Sequence, residues 1–268
     1  MDGCGLMKKR AVMSLSGGMD STGLLLYLLS EGYFVHAISF DYGQKHKIEI
    51  QKAKNNIEYL SENGINIKHD IVDLSSISSL LYSSLTDITK KIPEGHYEEE
   101  QMKSTVVPNR NAIFSSIVYA SALSNAKKFD SNVIIALGVH SGDHAIYPDC
   151  RPDFYESLGD SFSIGNWDSE KVSFHLPYLK FDKSYILKQS VKSCEKLGLD
   201  FDKIFSNTLT SYNPDSLGRS SGKSGADVER ILAFHSIGRK DPIEYVKEWE
   251  DVLNDALKIE KKYIEGLK

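Results

Sequence analysis

Cysteine is scarce: Cys4, Cys150 and Cys194 are the three in 268 residues, far apart and odd in number. That argues against a disulfide framework and fits a reducing compartment. A basic excess is missing as well, since 32 lysines and arginines face 37 aspartates and glutamates for a net charge of −5. General nucleic-acid binding, which needs surplus cations for the phosphate backbone, is disfavoured. No long apolar run occurs. The longest, residues 24–29, is far below the roughly 20 residues that cross a bilayer. Lys8, Lys9 and Arg10 are followed by too short an apolar stretch for a signal peptide, so a cytoplasmic protein is expected. The length accommodates one sizeable α/β core with an appendage.

What is present centres on residues 11–29, AVMSLSGGMDSTGLLLYLL. An apolar run (11–15) suits a buried parallel strand, and leucines at helical spacing across 20–29 suit the helix that follows. The Ser/Gly loop between them is a strand-to-helix turn, where unpaired backbone N–H groups and the positive helix end form an anion site. Gly17 and Gly18 let a phosphate approach the backbone, and Ser16, Ser21 and Thr22 add hydroxyl donors. Asp20 beside phosphate is repulsive unless a cation lies between them, which predicts Mg²⁺. A second glycine-rich run, GRSSGKS at 218–224, is one residue short of a Walker A loop and follows no convincing strand.

Further strands are predicted over 34–40, 65–74, 133–137 and 172–176, with helices running to about residue 60 and over 112–123, 154–162 and 183–198. Strand carboxyl ends gather ligands in an open parallel sheet. Asp41, Tyr42 and Gly43 therefore point at the same crevice as the Ser/Gly loop. The Ser-rich, then charged stretch 75–104 reads as a long surface loop, either a lid or unstructured chain. Arg110 and Lys183 stand near helix starts, where a cation is disfavoured unless an anion is nearby. The fourth strand runs into GVHSGDHAIYPDCR at 138–151. Its His140, Asp143 and His144 are weak metal candidates without a helical scaffold, and Cys150 with a histidine is a weak nucleophile candidate. Asp149 can accept two hydrogen bonds from a guanine-like ring edge, with Tyr147 stacked beside it. Residues 227–268 give two amphipathic helices broken near Gly238 and Pro242.

SGGMDS matches the SGGxDS signature of the PP-loop ATP pyrophosphatases. Together with FDYGQKH, VPNRN, YPDCR and FDKS, in that order, it resembles the QueC family over roughly residues 10–213. The resemblance implies an α/β fold, a five-stranded parallel sheet between helices of the adenine-nucleotide α-hydrolase-like kind, with a C-terminal helical extension. It divides the chain into a PP-loop domain (1–205) and a region with a degenerate zinc loop and a helical tail (206–268). It implies ATP-dependent activation of 7-carboxy-7-deazaguanine as an acyl adenylate, followed by attack of an amine. ATP would be held by Ser14, Leu15, Ser16, Gly17, Gly18, Met19, Asp20, Ser21 and Thr22, with Asp20 assisting Mg²⁺. Arg110, Asp143 and Lys183 would join Asp20 in catalysis. Asp41, Tyr42, Gln44, Tyr147, Asp149 and Arg151 would surround the deazaguanine, and the protein would form a homodimer.

The chain departs from the family downstream. QueC proteins carry four zinc-binding cysteines where this sequence has Ser211, Ser221, Ser224 and Asp227. Serine hydroxyls are poor zinc ligands, so no zinc is expected. In this the chain resembles zinc-lacking QueC-like proteins of anti-phage operons, including type IV CBASS, which implies a protein N-terminus or other large amine as acceptor. The alternatives are 7-cyano-7-deazaguanine synthesis, with ammonia as the amine, in queuosine or deazaguanine-DNA biosynthesis, another PP-loop chemistry, and a catalytically inactive ATP-binding protein. Thiolation is disfavoured by the lack of relay cysteines.

Overall fold

The computed structural model describes residues 9–44, 48–86, 89, 93–211, 215 and 218–266. Cys4, residues 45 and 46 of the FDYGQKH motif and residues 212–214 lie outside the described residues. Five strands, β1 (Arg10–Ser14), β2 (Phe34–Asp41), β3 (Lys68–Asp73), β4 (Val133–Ala136) and β5 (Val172–His175), form one sheet in the order β3-β2-β1-β4-β5. Every pairing is parallel. From β1 the chain first winds outward through β2 and β3, then returns to place β4 and β5 on the other side. The topological switch therefore lies between β1 and β4, where an open α/β sheet holds its crevice.

Residues of β1 alternate between two apolar layers. Ala11 and Met13 join the layer of α1 (Met19–Ser30), α2 (Ile48–Glu62) and α5 (Lys183–Leu197), whereas Val12 joins the layer of α3 (Arg110–Phe129) and α4 (Pro152–Gly165). Burial on both faces explains the uninterrupted apolar run in the sequence. The edge strand β3 alternates less and carries Lys68 and Asp70 toward solvent, as an unpaired edge requires. Helices α1 and α5 cross closely at Gly23, where an added Cβ would lie 2.7 Å from Ile186 and 2.8 Å from Ser190.

The expected pair of C-terminal helices is present as α7 (Gly225–Ser236) and α8 (Trp249–Gly266), after a short α6 (Phe201–Ser206) that the sequence reading missed. Phe234 of α7 joins the α1/α5 layer, and α8 seats Val252 and Ala256 on Val228 and Ile231. The 75–104 stretch differs from the surface loop expected. It carries 3-10 turns at Ser75–Leu80 and Glu100–Thr105, buries Leu81, Leu85 and Met102, and is tied to α8 where His96 bonds Glu260 at 2.8 Å and stacks on Tyr263. Its serines misled the reading because Ser83 and Ser84 are buried. No helix among the described residues is long and apolar enough to cross a membrane.

Candidate active site

The Ser/Gly loop joins β1 to α1 at the switch point. Gly17 has φ +85°, and a Cβ there would sit 2.0 Å from the Glu49 carbonyl oxygen, so only glycine fits. Ser21 Oγ lies 3.0 Å from Ser16 Oγ, accepts the Ser16 N–H and donates to the Gly18 carbonyl, which braces the turn. Gly18 caps α1 without a side-chain hydrogen bond, so the first amides of the helix lack a side-chain acceptor. Ser14, Ser16, Gly18, Met19, Asp20 and Ser21 line a cavity of about 260 Å³, whereas Leu15, Gly17 and Thr22 are buried and do not line it.

Against one part of the cavity wall stands a knot of charge. Lys183, first residue of α5 and only 5% exposed, pairs with Glu229 of α7 and lies 3.7 Å from Asp20. Burial opposes its charge, but Asp20, Glu229 and Asp143 outweigh that and hold its pKa above the ordinary lysine value. His140, 1% exposed, accepts the Gly142 N–H at Nδ1 and turns Nε2 toward Asp143 at 3.4 Å and Asp20 at 3.8 Å. Burial works against a charge on this ring too, and the three carboxylates again raise its pKa. Asp20 Oδ1 is buried without a hydrogen-bond partner among the described residues. An orphaned carboxylate oxygen beside a phosphate loop fits Mg²⁺, whose ligands are hard oxygens.

Another part of the cavity wall is aromatic. Tyr42, Gln44, Glu49, Arg110, Phe114 and Tyr147 line it. Phe114 stacks on Phe40 at 4.0 Å and meets Tyr42 at 5.5 Å. Arg110, at the start of α3, lies beside Tyr42, and Tyr147 bonds Thr105 at 2.6 Å. Gln44 folds back on its own strand end, accepting the Tyr42 N–H and donating to the Phe40 carbonyl.

Three expected residues stand elsewhere. Asp149 accepts the Asn111 N–H at 3.3 Å, and Asp41 accepts the Gly43 N–H at 3.3 Å. Exposed Arg151 donates to the His144 carbonyl. None of the three lines the cavity. Cys150 does, but burial pushes its thiol well above the ordinary value, which makes it a poor nucleophile. Residues that sequence reasoning missed are Glu49, Phe114 and Glu229. The first two stand at helical positions that composition alone marks as surface or core, and Glu229 comes from the distant tail.

Ser211, Ser221, Ser224 and Asp227 converge although they span seventeen positions. Asp227 Oδ2 accepts from the Ser211 hydroxyl at 3.0 Å, the Ser221 hydroxyl at 3.2 Å and the Ser224 N–H at 3.3 Å. Ser224 in turn caps α7 through the Asp227 N–H. The donors do not fit zinc: three hydroxyls replace thiolates, and two are committed to the one carboxylate. Beside this cluster Arg230, fully buried, makes a two-pronged bond to Asp241 at 2.6 and 2.9 Å and donates to Thr208 and Thr210. Ser211 and Thr210 also line the cavity, so cluster and cavity share a wall.

A model of the family described as queuosine biosynthesis protein QueC matches residues 10–238. A 7-cyano-7-deazaguanine synthase of Methanoregula boonei is 44% identical over 238 residues, 88% of this chain and 99% of its own length. One of Psychromonas ingrahamii is 42% identical over 240 residues, 89% and 99% of the two chains. Among solved structures, a predicted subunit of tRNA methyltransferase from Methanocaldococcus jannaschii matches over 90% of this chain and 93% of its own, at 16% identity and a TM-score of 0.41. Helix α8 lies beyond the residues that the family model matches. With that model spanning the whole sheet, the cavity wall and α7, the chain belongs to the QueC family.

Proposed function

We propose that this protein activates the carboxylate of 7-carboxy-7-deazaguanine with ATP and passes the acyl adenylate to an amine. The observation that carries this reading is one cavity lined by a Ser/Gly loop, Lys183, Arg110 and a set of aromatic rings. The α1 amides and the loop hydroxyls would take the β and γ phosphates. A carboxylate oxygen of the substrate then attacks the α phosphorus in line, and the bond to pyrophosphate breaks. The amine nitrogen next attacks the acyl carbon, loses a proton, and AMP leaves with the former carboxylate oxygen. Lys183 and Arg110 neutralise charge that develops on the phosphates, and the site as a whole acts by positioning and electrostatics. Asp20 is the residue that would hold Mg²⁺, which would supply further charge neutralisation there.

The acceptor in this proposal is larger than ammonia, such as a protein N-terminus in a QueC-like anti-phage system. The serine and aspartate cluster supports it, because the replaced donors abut the cavity wall through Ser211. The second reading, ammonia as the amine and a nitrile as product, is favoured by the relatives named 7-cyano-7-deazaguanine synthase. Mass spectrometry of proteins encoded beside this one, co-expressed with and without it, separates the two. A covalent deazaguanine adduct supports the large amine, and accumulation of free nitrile refutes it. The homodimer implied by the resemblance belongs to the same proposal.

A further inference from the structure

We infer that Glu49 recognises the N–H edge of the deazaguanine ring, an inference that rests on the substrate class proposed above. Among the described residues, three carboxylate side chains line the cavity, Asp20, Glu49 and Asp143. Asp20 and Asp143 belong to the knot around Lys183 and His140. Glu49 stands apart from it, on the first turn of α2, and its carboxylate has no hydrogen bond among the described residues. Asp149, the carboxylate expected from sequence for this task, is occupied by the Asn111 amide and lies outside the cavity.

The surroundings of Glu49 suit a flat ring. Phe114 and Tyr42 bring aromatic rings to this part of the wall, and Arg110 lines it beside them. A guanine-type ring presents two neighbouring donors, N1–H and the 2-amino group. An ionised carboxylate has two oxygens spaced to accept both. An adenine edge offers one donor beside one acceptor, which sets a carboxylate oxygen against a lone pair. The match is therefore to the deazaguanine and not to ATP.

Charge linkage gives this assignment a second signature. Among the described residues, the charged or titratable groups facing Glu49 are Arg110 from α3 and Tyr42 from the end of β2. Burial raises the Glu49 carboxyl to about 7, with Arg110 pulling the other way. Two N–H donors favour the ionised form, so the bound state has the lower pKa. Affinity for the ring then rises as pH rises through about 7, and falls as Glu49 protonates below it.

Calorimetric titration of the full chain and of Glu49→Gln tests this, using 7-carboxy-7-deazaguanine, its analogue without the 2-amino group, and ATP. The wild type is expected to discriminate against the analogue at least ~10-fold and to bind the substrate more tightly at about pH 8 than at about pH 6. Glu49→Gln should lose both properties while its ATP affinity stays unchanged, which also reports an intact fold. A variant that keeps the discrimination and the pH trend overturns the assignment. So does one whose affinity falls for ATP instead, which would give Glu49 to the adenine. Wild-type protein that binds ATP but no 7-carboxy-7-deazaguanine overturns the substrate class and this inference with it.

Discussion

Lys183 does two things with one ammonium group: it neutralises Asp20 and Glu229 in the folded protein, and it faces the phosphate loop. Replacing it with Met should therefore cost stability, about 3–5 kcal/mol, because two carboxylates are left facing each other in a buried site. It should also slow pyrophosphate release by about 10²–10³-fold. Adding Glu229→Gln to Lys183→Met is expected to recover most of the melting temperature and none of the rate. Recovery of both would show the lysine to be structural alone. The Asp227 cluster makes a second residue-scale case. Burial raises the Asp227 carboxyl above its unfolded value, so its ionised form weakens the fold at neutral pH and that cost is relieved as pH falls through the folded pKa. Asp227→Asn, which removes the charge and keeps an acceptor, should be neutral or stabilising at pH 7. Asp227→Ala leaves the Ser211 and Ser221 hydroxyls without their acceptor and should cost about 1–3 kcal/mol by urea denaturation. Metal analysis of the wild type should find no stoichiometric zinc, and one zinc per chain would contradict this reading of the cluster. Residue types near an element boundary were legible in the sequence, as Asp20, Arg110 and Lys183 show. Glu229 was not, because its partner lies 46 positions away and nothing local marks the pairing.

The strand-to-helix turn at Gly17 is the element on which the ATP site depends. Alanine there meets the Glu49 carbonyl and must hold φ +85°, so the loop or the first turn of α2 has to move. Gly17→Ala should weaken ATP binding by more than ~10-fold and cost about 1–3 kcal/mol of stability. Calorimetry with ATP and a thermal melt read the two effects, and unchanged ATP affinity would deny the loop its role. Elements buried on both faces were legible, since β1, β2 and α1 are continuous apolar runs at strand or helix spacing. The 75–104 stretch was misread for a physical reason: its order comes from α7 and α8, through Glu94 paired with Ser224 and His96 bonded to Glu260. The place of Asp149 was not legible for the same reason, and it stands outside the cavity wall. A carboxylate inside a 3-10 turn, as Asp149 is in Pro148–Cys150, can serve the cavity or a neighbouring helix start, and here the Asn111 N–H at the start of α3 takes it.

At the scale of the molecule, parallel pairing in the order β3-β2-β1-β4-β5 opens a crevice at the switch, and sequence-distant groups meet there. The phosphate loop comes from the first crossover, Arg110 from the third, Lys183 from α5 and Glu229 from the tail. The central claim is that this crevice couples cleavage of ATP between its α and β phosphates to a deazaguanine carboxylate. Its most direct test is pyrophosphate release on incubation of the purified chain with ATP, Mg²⁺ and 7-carboxy-7-deazaguanine, with Asp20→Ala alongside. The account predicts release that needs the carboxylate substrate and falls at least ~100-fold in the variant. Release no greater than that of Asp20→Ala, or equal with and without the deazaguanine, would contradict it.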